Sequence, residues 1–172
     1  MKKASVLFFA FVFAAISLQA QVYEKNDFVL SLGVQRINVE KYSMNFIPVE
    51  FSADYMLVNL VKDKLMGSLG VLGQYYSYNE PETDTSFYVV NPAVSLGVHY
   101  SISDKFVAYA VYSAGYDFVN AKKDKFLPSD MESSFNSDLL IGGKYFFTPR
   151  FGIFMSHYLA KLSFLGGVTV KF

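Results

Sequence analysis

The sequence predicts an all-β fold, an eight-stranded antiparallel up-and-down transmembrane β-barrel. Three observations predict it. Apolar residues beyond Gln21 recur with period two rather than 3.6, the pattern of strands with two unlike faces. Eight such segments follow one another, an even number that brings both chain ends to one side of a closed sheet. The chain is 52% hydrophobic and 18% aromatic, yet every apolar run after Gln21 is broken within a few positions by polar residues or glycine. If this part of the chain enters a membrane, it does so as strands.

The elements follow in order. Residues 1–20 read as a secretory signal peptide: Lys2 and Lys3, an apolar run from Val6 to Leu18, and small residues before a cut after Ala20. The run is too short for a spanning helix of ~20 residues. Residues 21–172 then form a single domain, the barrel. Removing Lys2 and Lys3 from 15 basic residues leaves 13 against 15 acidic ones, a net charge of −2, which gives no footprint for nucleic acid. Cysteine is absent, which excludes disulfides, a thiol nucleophile and a lipid-modified cysteine.

The eight strands are expected at Asp27–Arg36, Met44–Val58, Leu65–Tyr78, Phe87–Tyr100, Phe106–Phe118, Phe135–Phe147, Phe151–Tyr158 and Phe164–Phe172. The fourth is the clearest. Tyr88, Val90, Pro92, Val94, Leu96, Val98 and Tyr100 make one apolar face with a tyrosine at each end; Asn91, Ser95 and His99 lie on the other. At ~3.3 Å per residue and a tilt of ~40°, its height is roughly 30 Å, that of an apolar membrane band plus its aromatic girdles. In the second, Ile47, Val49, Phe51, Ala53 and Tyr55 oppose Glu50, Ser52 and Asp54. Pro48 and Pro92 fall inside strands and call for a bulge or a break in pairing. The fifth, "FVAYAVYSAGYDF", is apolar on both faces, so Tyr112 and Tyr116 have two possible orientations.

The connections alternate. "NLVKDK", "SISDK" and "TPR" are compact; "INVEKYS", "NEPETDTS" and "VNAKKDKFLPSDMESS" are mostly longer and more polar. Short periplasmic turns and long outer loops give this alternation. The last outer connection, "LAKLS", is short and departs from it.

Read back from the end, Phe172, Val170, Val168, Gly166 and Phe164 share one face, and Lys171 the other. This final strand resembles the assembly signal of Gram-negative outer-membrane barrels, carried here by Phe164, Val168, Val170 and Phe172. The stretch "IGGKYFFTPRFGIFMSHY" resembles the penultimate hairpin of small OmpA/OmpX-like barrels. Lys144 stands where that family commonly has a basic residue, and Gly152 and Phe154 match its G-x-F-x-acid pattern, with Ser156 in place of the acid. The resemblance implies the outer membrane of a Gram-negative bacterium, contact with its lipid and lipopolysaccharide, and recognition by the barrel-assembly machinery.

The expected lumen holds a polar network of Glu50, Asp54, His99, Lys144 and Lys171, with Gln74 and Asn91 in register and Phe46 and Leu72 as filling. Eight strands leave an interior that side chains fill, so these charges are expected to pair as a plug rather than line a channel. Loss of Glu50 should then destabilise the barrel, with partial rescue by removing a facing lysine. Ser156 and His157 are adjacent in a strand and point to opposite faces, so they cannot act as nucleophile and base. Neither histidine has metal-ligand spacing, and no phosphate-binding glycine loop is present, so no enzyme activity, cofactor or metal is expected. The acidic "NEPETDT" reads as a solvated loop tip. The long loop bearing Phe126 and Leu127 is the place for an extracellular ligand or partner. Two functions fit: a structural or surface-interaction barrel of the outer membrane, or a secreted lipocalin-like barrel holding an apolar ligand. They differ in which face is apolar.

Overall fold

The structure, a computed structural model, describes residues 22–36, 43–61, 64–80, 85–122, 132–160 and 163–172. The predicted signal peptide, most of the acidic tip, Phe126 and Leu127 lie outside the described residues, as does the Phe46 side chain.

Eight strands close into one antiparallel up-and-down barrel: β1 (Phe28–Arg36), β2 (Ser43–Val61), β3 (Leu65–Glu80), β4 (Thr85–Ser101), β5 (Phe106–Lys122), β6 (Ser134–Phe146), β7 (Phe151–Tyr158) and β8 (Ser163–Lys171). Each lies within a few residues of its sequence expectation. The seam joins β1 to β8 from Val29↔Lys171 to Arg36↔Phe164, so no strand edge is left open. The β4–β5 and β6–β7 turns are built alike. Ser103 Oγ accepts from the backbone of Lys105 and Phe106 (3.3 and 3.0 Å), and Thr148 Oγ1 from Arg150 and Phe151 (3.3 and 3.0 Å). A hydroxyl three residues ahead of the next strand thus closes each turn. We call this end, where Val22 and Phe172 lie, the near rim.

Around Pro48 the β2–β3 register shifts twice, between Met44 and Phe46 and between Phe46 and Val49. Pro92 acts differently. Its β3 register runs unbroken, while pairing to β5 lapses between Val90↔Phe118 and Ala93↔Gly115 and resumes in the same register. The missing N–H is absorbed on one side only.

The barrel is apolar outside, and its buried charged and polar groups lie inside among apolar ones. Val94 is 60% exposed and its neighbour Ser95 3%. Leu32, Phe51, Val71, Leu96, Ile153 and Met155 extend this outer band, and aromatic residues ring both ends. Phe28, Tyr55, Tyr100, Tyr145 and Phe172 are exposed toward the near rim, and Tyr75, Tyr116, Phe118, Phe135 and Phe164 toward the far one. On β5, Tyr112 and Tyr116 face outward and Val107, Tyr109 and Val111 inward, which settles its register.

Candidate functional site: a filled lumen and its two ends

Inward side chains stack in layers from the far rim to the near one. Nearest the far rim, Asn91 and Asn136 both donate to Asp117, at 2.6 and 2.5 Å, and Gln35 donates to Ser163 at 2.7 Å. Asp138 Oδ1 accepts from the backbone of Ala160 at 2.9 Å and Leu139 at 2.7 Å, fastening the β7–β8 connection.

In the next layer Glu50 accepts from Gln74 Nε2 at 2.9 Å and from the Tyr158 hydroxyl, and Gln74 also donates to Tyr158 at 2.8 Å. Ser31 and Thr169 share a hydrogen bond of 3.0 Å across the seam. Tyr109, Val111, Leu140, Phe154, Tyr158 and Leu165 form an apolar cluster through this level.

Below it lies the ion pair. Lys144 Nζ is 3.7 Å from Asp54 Oδ2 and 5.2 Å from the centre of the Tyr109 ring, with Lys144 and Asp54 both buried. A Cβ on Gly70 would fall 2.5 Å from Asp54 Oδ1 and 2.6 Å from the Ala53 carbonyl, so the carboxylate occupies the space that a side chain there would need. Ser68 and His99 share a bond of 2.8 Å toward the near rim. The cavity lined by Ser31, Glu50, Asp54, Tyr109, Lys144 and Ser156 measures about 20 Å³, the room of a single water.

The near mouth is closed by the chain itself. Residues 22–27, the strap, precede β1 and fold back into the barrel. Val22 and Tyr23 are buried against Val29, Met56, Met66, Val107 and Phe146. Burial, reinforced by Asp54, pushes the Tyr23 phenol well above its ordinary range, so it sits there neutral.

The expected network is therefore divided. Asp54 and Lys144 meet directly, while Glu50 lies one layer further on and His99 one layer nearer the rim. The lysine expected to face Glu50 faces Asp54. Lys171 stands apart: it reaches the strap, donating to the Val22 carbonyl at 2.6 Å and lying 3.4 Å from Asp27. Of the pair Ser156 and His157, the serine is inward and the histidine outward, its ring 4.6 Å from that of Phe164. The terminal residues Phe164, Val168 and Phe172 are exposed on the outer face, with Val170 partly so. Among the described residues no group of three potential metal ligands occurs.

Sequence reading missed Tyr158, Tyr109 and the strap. Tyr158 was within reach, since it shares parity with Gly152, Phe154 and Ser156. Tyr109 was hidden by a strand apolar on both faces. The strap carries no periodic signal.

No known family profile matches the chain, and no curated protein matches it in sequence. Solved structures do match in fold. Ail, the attachment invasion locus protein of Yersinia pestis, solved with the heparin analogue sucrose octasulfate, aligns at TM-score 0.52 and 14% identity, over 87% of this chain and 100% of that one. The outer membrane protein OprG of Pseudomonas aeruginosa aligns at TM-score 0.55 and 12% identity, over 90% and 99%. A de novo designed transmembrane β-barrel aligns at 0.52 and 15%, over 87% and 98%. At these identities the likeness is one of fold.

Proposed function

We propose that this chain is a small integral barrel of the Gram-negative outer membrane, with a side-chain-filled lumen and a structural or surface-interaction role exercised through its outer loops. One observation carries the reading: an apolar outer band between two aromatic girdles encloses a filled interior that holds the buried charged and polar groups. In water such a surface would be an aggregation liability, whereas hydrocarbon requires it. The fold shared with Ail and OprG supports the location. A lipocalin-like function needs an interior cavity with room for a ligand, and the lumen cavity among the described residues measures about 20 Å³. In this reading the near rim is periplasmic, and the longest connection, between β5 and β6, is the place for a ligand or partner.

The test is cellular and simple. The mature chain should fractionate with the outer membrane and keep a compact, fast-running form in SDS until heated. In lipid vesicles a lone cysteine at Val94 should be shielded from a water-borne thiol reagent by lipid. Recovery of native protein from the soluble periplasmic fraction would remove the reading.

Phe172 bears on assembly. Its backbone pairs with Phe28 across the seam (2.8 and 3.2 Å), while its side chain is 65% exposed and adds no packing inside. Deleting it should lower the amount of folded barrel in cells, while purified chain still folds in detergent. Normal cellular levels of the shortened chain would count against recognition of this residue by the assembly machinery.

A further inference from the structure

The barrel closes without residues 22–25. Strand pairing at both edges of β1 begins at Phe28 and Val29, and two backbone bonds at the base of the strap, Asn26 N–H to the Met56 carbonyl (2.8 Å) and Met56 N–H to the Asp27 carbonyl (2.9 Å), continue it toward β2. Yet the strap enters the mouth. Tyr23 is fully buried, with its ring edge-on to His99 at 5.5 Å and to Phe146 at 5.8 Å. Only Val22 and Tyr23 insert; Glu24, Lys25 and Asn26 are exposed.

Its anchors are few and sit at the rim. Asn26 adopts the left-handed backbone conformation, with φ of 76°, and turns the chain. It is held by the Tyr55 hydroxyl at 2.7 Å and by the Met56 carbonyl at 2.8 Å. The Val22 amide reaches Ser101 Oγ at 3.4 Å, a long bond. The strongest hold is Lys171. It donates to the Val22 carbonyl and lies beside Asp27, whose carboxylate also accepts from the Glu24 amide at 2.8 Å. Lys171 belongs to the last strand and the strap precedes the first, so this clasp forms only once the β1–β8 seam has closed.

The pocket fits the strap by shape more than by chemistry. Tyr23 Oη and His99 Nδ1 are buried with no hydrogen-bond partner among the described residues. The insert is thus secured at its rim rather than at its tip.

We propose that residues 22–25 are a detachable stopper of the near mouth, hinged where Asn26 and Asp27 pair with Met56, docked after barrel closure and held shut by the Lys171 clasp. Its release uncovers the pocket formed by Met56, Met66, His99, Val107 and Phe146 while the barrel stays closed.

The chain contains no cysteine, so Val22→Cys introduces a single thiol at a position held through its backbone. The folded protein in detergent is treated with a maleimide in three backgrounds: otherwise unchanged, Lys171→Ala and Asp27→Ala. Labelling should be slow in the first and on the order of tenfold faster in Lys171→Ala, the effect of losing a charge-assisted hydrogen bond. Asp27→Ala should fall between. Salt should speed labelling in the unchanged background, because it screens the ion pair, and leave Lys171→Ala unaffected. A separate Ser95→Cys reporter, deep in the lumen, should stay slow throughout. Equal rates at position 22 in all backgrounds would overturn the clasp. Rates at positions 22 and 95 that rise together would overturn the stopper, since the whole barrel would then be opening. If Lys171→Ala does not fold, Asp27→Ala and the salt series give the same decision.

Discussion

Replacing Asp54 by alanine should cost the folded barrel about 3–5 kcal/mol, the usual loss when one partner of a buried ion pair is removed. Asp54 and Lys144 reach toward each other from β2 and β6, strands that are not neighbours in the sheet, and both are buried. Without the carboxylate, the Lys144 ammonium keeps, among the described residues, its contact with the Tyr109 ring, worth roughly 2 kcal/mol even when desolvated. The near-rim cluster and the filled cavity leave little water to take over. The lysine then becomes the fault, so a second substitution should repair it. Lys144→Met keeps the length of the side chain and removes the charge. The double variant Asp54→Ala, Lys144→Met should recover most of the loss, because apolar replacements of buried pairs are often neutral. Urea unfolding in lipid vesicles, followed by the heat-sensitive gel shift, measures both. A mild Asp54→Ala, or a double variant no better than the single, would mean that the pair is solvated. Glu50 makes the useful contrast. It accepts from Gln74 and Tyr158, so removal of Lys144 should not rescue Glu50→Ala.

Strands and lumen were legible in the sequence to different depths. Strand existence came from the period of two, and facing from any strand with one apolar and one polar face. Val94 and Ser95 are assigned by parity alone. β5 resisted because small outward alanines alternate with apolar inward residues, so hydropathy carries no direction there; packing of Tyr109 and Val111 against Phe154 and Leu165 decides it. Parity also places charges in the lumen but cannot pair them. Whether Lys144 meets Glu50 or Asp54 depends on how far each strand is shifted along its neighbours once the sheet closes. A single residue of register moves partners to the other face. The strap was illegible for a third reason. Residues 22–27, ahead of the first strand, carry no period, and the burial of Val22 and Tyr23 arises only from the mouth that eight distant segments build.

The purified barrel should pass no steady current across a planar bilayer, and it should stay silent when Tyr23 is replaced by alanine. A conducting path needs continuous water from rim to rim. Here three obstacles lie in series. The strap closes the near mouth with Tyr23. Above it, Lys144, Asp54 and Tyr109 cross the lumen, with only about 20 Å³ beside them. Further on, the Glu50, Gln74 and Tyr158 cluster spans from β2 and β3 to β7. Tyr23→Ala removes only the first, so the two inner layers should still block ions, which carry a shell of several waters that a space for one cannot hold. The same layers explain why an eight-stranded barrel can do without a pore: its interior is a packed core in which most buried polar groups pair with one another. Stable unitary currents from the unaltered protein would defeat the plugged lumen outright. Currents that appear only in Tyr23→Ala would instead show that the inner layers are permeable and that the strap alone seals the barrel.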